Sequence, residues 1–218
     1  MIITIDGPAG AGKSTVAKLV AKRLGYRFLD TGAMYRAVTW AAMKQGIEVT
    51  NHEAVSNMAS KLDIRFQDEK VLVDGADVTT DIRTPDVTVN VSEIADNSSV
   101  RQQMVMLQRE IAAEGNFVCE GRDQGTVVFP NAECKIYLTA SARERAKRRC
   151  QQMGAGSSEA DYETILKQQE DRDQRDLDRP VGCLLMARDA REIISDKKTL
   201  DDVVEEIIEI ARSRIAAS

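Results

Sequence analysis

Ile2-Ile3-Thr4-Ile5-Asp6-Gly7-Pro8-Ala9-Gly10-Ala11-Gly12-Lys13-Ser14 runs from a β-rich apolar stretch, through a glycine-rich turn, to a lysine and a hydroxyl. Beyond it Val16, Leu19, Val20 and Leu24 recur at helical spacing, so the stretch reads strand, loop, helix. The loop satisfies G-x-x-x-x-G-K-[ST] in full, in the strand-to-helix context that gives the pattern its meaning. Each part has a task. Glycines let successive backbone N–H groups turn toward phosphate oxygens, and the helix N-terminus adds a positive dipole. Lys13 reaches the β and γ phosphates, and the Ser14 hydroxyl ligates Mg2+. Gly7, Pro8, Ala9, Gly10, Ala11, Gly12, Lys13 and Ser14 are therefore the candidate ATP-binding residues, and Thr15 serves a helix start as readily as a ligand.

The chain has 218 residues, 43% of them hydrophobic, and sets 30 Lys plus Arg against 35 Asp plus Glu for a net charge of -5. Length and composition suit a single domain over residues 1–218, with room for an inserted subdomain. An acidic balance disfavours whole-molecule attraction to nucleic acid or an anionic membrane, so any anion site is local. Cys119, Cys134, Cys150 and Cys183 form no CxxC pair, and the one histidine is His52, which leaves neither a zinc site nor a disulfide framework. The N-terminus has no basic leader, and no apolar run approaches the roughly 20 residues that span a bilayer. The expectation is a cytoplasmic monomer with small-molecule partners, not nucleic acid or membrane.

Further along, Tyr26 to Leu29 reads as a strand and Thr31 to Met43 as a helix. From Asn51 the texture changes to a polar helix ending at Lys61, then short alternating strands at Leu62 to Phe66, Val71 to Val73 and Asp77 to Thr80, joined by Gln67-Asp68-Glu69 and Asp74-Gly75-Ala76. This is a small strand-rich insert. Helical pattern resumes from Val100 to Glu114, followed by strands at Phe117 to Cys119, Thr126 to Phe129 and Lys135 to Leu138, the last central to the sheet. The rest is helical: Ala142 to Met153, a break at Gly154 to Ser158, Tyr162 to Asp178, and a last helix from Asp201. Strands alternating with helices argue for an α/β fold with a mostly parallel sheet covered on both faces.

A phosphate loop does not choose among GTPases, motors and small-molecule kinases. There is no Asn-Lys-x-Asp for guanine and no Asp-x-x-Gly switch. Instead, arginines cluster near carboxylates. Asp30-Thr31-Gly32-Ala33-Met34-Tyr35-Arg36 lies at a strand end and helix start, where anions bind well. Glu120-Gly121-Arg122-Asp123 lies at the carboxyl end of a strand, where open α/β sheets bind ligands. Arg172, Asp176 and Arg179 share one helical face, and Arg145, Arg148 and Arg149 share another. Either set suits a solvated, ion-paired helix; the second also suits a phosphate-covering lid, with Gly154-Ala155-Gly156 as its candidate hinge.

Taken together, these residues resemble the bacterial cytidylate kinases, which phosphorylate CMP and dCMP with ATP. The resemblance covers essentially the whole chain and rests on Asp6 to Ser14, Asp30 to Arg36, Asp81-Ile82-Arg83, Gly121 to Pro130, and Arg172 to Arg179. It implies a three-layer P-loop core, an inserted monophosphate-binding subdomain over residues 50–95 and a short helical lid over residues 145–175. It further implies that Ser92, Arg101 and Asp123 contact the cytosine edge, that Arg36, Arg122 and Arg179 hold the acceptor phosphate with Thr31 and Tyr35 nearby, and that Arg172 and Asp176 meet the sugar. Arg145, Arg148 and Arg149 belong to the ATP lid. Lys13, Arg122, Arg149 and Arg179 are the implied catalytic cations. Glu120 stands where the family usually has Asp, with a water-mediated Mg2+ role, and Val181 to Leu185 departs from the family's usual run.

The acceptor phosphate is already anionic near neutral pH, so the reaction needs no strong general base, which fits a chain without a histidine at these motifs. An arginine with a carboxylate complements cytosine's acceptors and amino donor, whereas uracil would turn a carbonyl toward Asp123. The rivals are kinases for UMP, AMP or shikimate, which generally lack the strand-rich segment, and a P-loop nucleotide-binding switch, against which the missing Asp-x-x-Gly counts.

Overall fold

The computed structural model describes residues 1–67, 70–113, 115–152 and 159–216. In chain order its elements begin with β1 (Ile2–Asp6), α1 (Lys13–Leu24), β2 (Arg27–Asp30), α2 (Thr31–Lys44), α3 (His52–Ala59), β3 (Ile64–Gln67), β4 (Lys70–Val73) and β5 (Ala76–Asp77). They continue with α4 (Pro85–Asp96), α5 (Ser98–Ala112), β6 (Phe117–Gly121), β7 (Cys134–Thr139), α6 (Ala142–Gln152), α7 (Glu159–Asp178), β8 (Arg191–Ile194) and α8 (Leu200–Ala216). The chain divides into two compact units, Met1–Phe28 with Gly115–Ser218, and Leu29–Glu114.

In the first unit the sheet order is β2-β6-β1-β7-β8. β1 pairs in parallel with β6, Ile3 against Val118, and with β7, Ile3 against Cys134, while β7 pairs in parallel with β8. A strand flanked on both sides and covered by helices reads as a near-continuous apolar run, which is why Ile2 to Ile5 is interrupted only by the buried Thr4. Val16 and Val20 of α1 and Val203, Val204, Ile207 and Ile208 of α8 complete one core with Ile3, Ile5, Val118 and Ile136. Each of these side chains removes apolar area from water, at about 25 cal/mol per Å². β1, not β7, is central; β7 lies beside it in the interior. β8 has no counterpart in the sequence reading.

One predicted strand is not a strand. Residues Gln124–Val128 form a π-helical turn, in which Val127 and Val128 N–H both donate to Asp123 O at 2.8 and 3.1 Å, and Phe129 N–H donates to Gln124 O at 2.7 Å. Thr126, Val127 and Val128 carry strand propensity, but context overrides it here. π-turns of this kind are rare and concentrate at functional sites.

The second unit holds a three-stranded antiparallel sheet in the order β3-β4-β5. Its second hairpin turns at Asp74-Gly75, both with positive φ (50° and 80°), as a tight two-residue turn demands. The strand expected at Asp77 to Thr80 shortens to β5, and a 3-10 turn follows at Asp81–Arg83. α4 was not foreseen: Val87-Thr88-Val89-Asn90-Val91 reads as alternating strand, yet Pro85 opens it as a helix and Val87, Val91 and Ile94 are buried. The starts of α2, α3 and α5 are capped by side chains: Asp30 accepts from Ala33 N–H at 2.9 Å, Asn51 from Ala54 N–H at 3.1 Å, and Asn97 from Ser99 and Val100 N–H at 3.1 and 3.2 Å. The expected turn at Gln67-Asp68-Glu69 lies partly outside the described residues, and the Gly154 to Ser158 break with its hinge lies wholly outside them. Among the described residues no helix is long and apolar enough to cross a membrane.

Candidate active site

The phosphate loop joins β1 to α1 in the first unit. At Gly7 (φ 149°) a Cβ would stand 1.9 Å from the Leu138 carbonyl oxygen, so no side chain fits and the loop can cross the end of β7 only as glycine. Lys13 is 5% exposed, and its ammonium donates to Pro8 O at 2.8 Å. Burial, then the Arg122 charge, pull that ammonium well below the ordinary lysine value, against the opposing pull of Glu120. An anion arriving in the loop would restore the charged form. Ser14 donates to Glu120 Oε1 at 2.8 Å, so a hydroxyl and a carboxylate stand side by side at the carboxyl end of β6.

Two of the three arginines expected at the acceptor phosphate, Arg122 and Arg179, meet around one carboxylate. Arg122 Nε donates to Asp176 Oδ2 at 2.7 Å, and Arg179 Nη2 donates to Asp176 Oδ1 at 2.8 Å. Burial works against the Arg122 charge, but Asp176 and Glu120 outweigh it and hold the guanidinium above its ordinary value. Burial likewise pushes Asp176 up, yet Arg122 and Arg179 outweigh it and keep the carboxyl below the usual range. Two guanidinium groups on one carboxylate leave a local positive excess inside an acidic chain. Arg172 is half-buried and Asp123 is buried nearby in sequence to Arg122.

The three arginines expected in the lid part company. Arg145 is 5% exposed and is tied to Ala9 O at 2.9 Å, Ala140 O at 3.0 Å and Asp173 at 2.7 Å. Arg148 donates to Ser195 O at 2.9 Å and Ser195 Oγ at 3.1 Å and pairs with Glu144, while Arg149 is exposed. Asp173 also accepts from Ala9 N–H at 3.4 Å, and Gln169 donates to Arg145 O at 3.3 Å, so α7 grips the phosphate loop through Arg145. Asp173 and Gln169 were missed by sequence reasoning, because inside a run of acids and amides only contact with the loop separates them from a solvated face.

In the second unit Arg36 donates to Thr88 Oγ1 at 2.8 Å and to Ile82 O at 3.4 Å. Arg101, 3% exposed, lies over the Tyr35 ring at 5.4 Å and donates to Ala95 O at 3.1 Å. Tyr35 and Arg101 are thus brought together, Thr31 is buried at the start of α2, and Ser92 is half-buried on α4. Arg83 pairs with Asp30 at 3.1 Å, which ties the Asp81-Ile82-Arg83 motif to the Asp30 to Arg36 motif.

The chain matches a protein family described as cytidylate kinase over residues 3–213. It is 47% identical over 218 residues to a protein named cytidylate kinase from Rhodopirellula baltica, covering 100% of this chain and 95% of that one. It is 49% identical over 209 residues to another of that name from Desulforamulus reducens, covering 94% of each. Among solved structures it is similar to a gluconokinase from Sinorhizobium meliloti, with 17% identity, coverage of 99% and 94%, and a TM-score of 0.52, a likeness of fold.

Proposed function

Because the chain belongs to the cytidylate kinase family, we propose that it transfers the terminal phosphoryl group of ATP to CMP and dCMP, giving CDP and dCDP by in-line displacement. The observation that carries this reading is the pair of guanidinium groups, Arg122 and Arg179, fixed on Asp176 at 2.7 and 2.8 Å in the same unit as the phosphate loop. Such a reaction needs little covalent chemistry from the protein and much positioning and charge cancellation. Lys13 and the lid arginines Arg145, Arg148 and Arg149 are assigned to the ATP phosphates. Arg36, Arg122 and Arg179, with Thr31 and Tyr35, are assigned to the acceptor phosphate, Arg172 and Asp176 to the sugar, and Ser92, Arg101 and Asp123 to the cytosine edge.

Mg2+ is assigned to Ser14, with Glu120 through water. The adjacent hydroxyl and carboxylate are hard oxygen donors that fit it, and among the described residues no three His, Cys, Asp or Glu side chains gather as a protein cage. When bound, the ion neutralises phosphate charge. The acceptor-binding insert is assigned to residues 50–95 and the lid to residues 145–175, in a cytoplasmic monomer that engages neither nucleic acid nor membrane.

A charge-assisted contact contributes about 1.5 to 3 kcal/mol, so losing Arg122 lowers turnover by tens to hundreds of fold. His52, exposed at the start of α3, is the control. Steady-state rates with ATP and CMP are expected to collapse in Arg122→Ala and stay near the parent's in His52→Ala; near-equal rates for the two variants count against the site.

A further inference from the structure

Asp6 ends β1 with 4% exposure, and neither the phosphate loop nor the ligand assignments above use its carboxylate. Its Oδ1 accepts from Gln124 N–H at 2.8 Å and its Oδ2 from Gly125 N–H at 2.7 Å. Each N–H is coplanar with the carbonyl before it, so one carboxylate orients two successive peptide planes, 123–124 and 124–125. Those two carbonyls begin the π-turn, Asp123 O accepting from Val127 and Val128 and Gln124 O from Phe129. The rotation that sets the first plane is the ψ of Asp123, which sits at φ -139° and ψ 21°, outside the helical well. Holding that plane fixes how the chain leaves Arg122 and Asp123.

A second observation is independent of the hydrogen bonds. A Cβ on Gly125 would stand 3.0 Å from Thr4 Oγ1, 3.3 Å from Asp6 Oδ2 and 3.3 Å from Lys135 Cδ. A side chain at that residue would force the carboxylate and Thr4 Oγ1 to give by a few tenths of an ångström. The arrangement is costly: burial pushes Asp6 up to about 7, and Asp123 adds to the rise, although the two N–H groups and Lys13 oppose it. A neutral side chain could cap one N–H at less cost, but only a carboxylate offers two acceptor oxygens at this spacing.

We propose that Asp6 is a positioning residue for phosphoryl transfer, acting through the π-turn to aim the Arg122 guanidinium and the Asp123 carboxylate at the acceptor nucleotide. The proposal rests on the activity assigned above. In Asp6→Asn the amide NH2 replaces one acceptor and releases one plane, and Gly125→Ala crowds the same contact without touching a charge.

Both variants are compared with the parent protein in steady-state assays of CMP, UMP and ATP. We expect KM for CMP to rise and the CMP-over-UMP ratio of kcat/KM to fall, each by about tenfold, with KM for ATP within about twofold of the parent in Gly125→Ala, which leaves the charge beside Lys13 in place. A merely structural role would reduce the active fraction, hence kcat, and leave both KM values and the ratio in place. Unchanged CMP KM and base preference in both variants, or failure of both to fold, would overturn the proposal. A parent protein inert toward CMP would refute the activity itself, and this inference with it.

Discussion

Asp123 is the side chain on which the proposed discrimination between two bases turns. It is 4% exposed and directly follows Arg122 at the mouth of the π-turn. Assigned to the cytosine edge, its carboxylate accepts from the exocyclic amine and faces uracil's carbonyl with like polarity. Asp123→Asn supplies a donor as well as an acceptor, so the preference for CMP over UMP is expected to shrink by about tenfold or more in competition assays; an unchanged preference removes Asp123 from base reading. The residues assigned to phosphate and Mg2+ were largely legible, because Lys13, Ser14, Arg122 and Arg179 sit in motifs whose spacing carries the proposed chemistry. Asp6, Gln169 and Asp173 were not, since each acts by touching backbone or another side chain far away in sequence. The three lid arginines looked equivalent on a helical wheel, yet Arg145 is locked to Ala9 O and Asp173 while Arg149 faces solvent.

Among the elements, those set by periodicity or glycine punctuation were readable: β1, the phosphate loop, α1, α8 and the Asp74-Gly75 hairpin. Those set by long-range contact were not. Thr126-Val127-Val128-Phe129 has every local mark of a strand, but Asp6 and the Asp123 carbonyl wind it into a π-turn. α4 hides behind β-branched residues, and β8, an edge strand with exposed Arg191 and Glu192, offers too little apolar sequence to announce itself. Element boundaries also depend on caps. Asn97 holds Ser99 and Val100 N–H at the start of α5 and donates to His52 O at 2.9 Å in α3, so Asn97→Ala loses a cap and an interhelical bond together. Chemical denaturation is expected to show a loss of about 1 to 2 kcal/mol; a change under half of that would mean another group caps the helix.

For the molecule as a whole, the net charge of -5 is no obstacle to anionic ligands, because Arg122 and Arg179 are concentrated on one carboxylate and Lys13 is buried in the loop. Global stability carries one signature of this arrangement. Asp6 is raised from 3.8 to about 7 in the fold, so between those values the folded chain keeps a proton that the unfolded chain gives up. Its contribution is full below the unfolded value and is lost as pH rises through the folded one. With Asp123 and Lys13 as its charged neighbours, the parent should lose more melting temperature than Asp6→Asn does between about pH 5 and about pH 8; equal losses would place the titration elsewhere. The activity itself is tested most directly by ADP release from ATP and Mg2+ with CMP, dCMP, UMP, AMP and shikimate offered separately. Rapid release with CMP and dCMP, and little with the other three, is the expected result. Faster release with UMP, AMP or shikimate, or silence with all five, would contradict it.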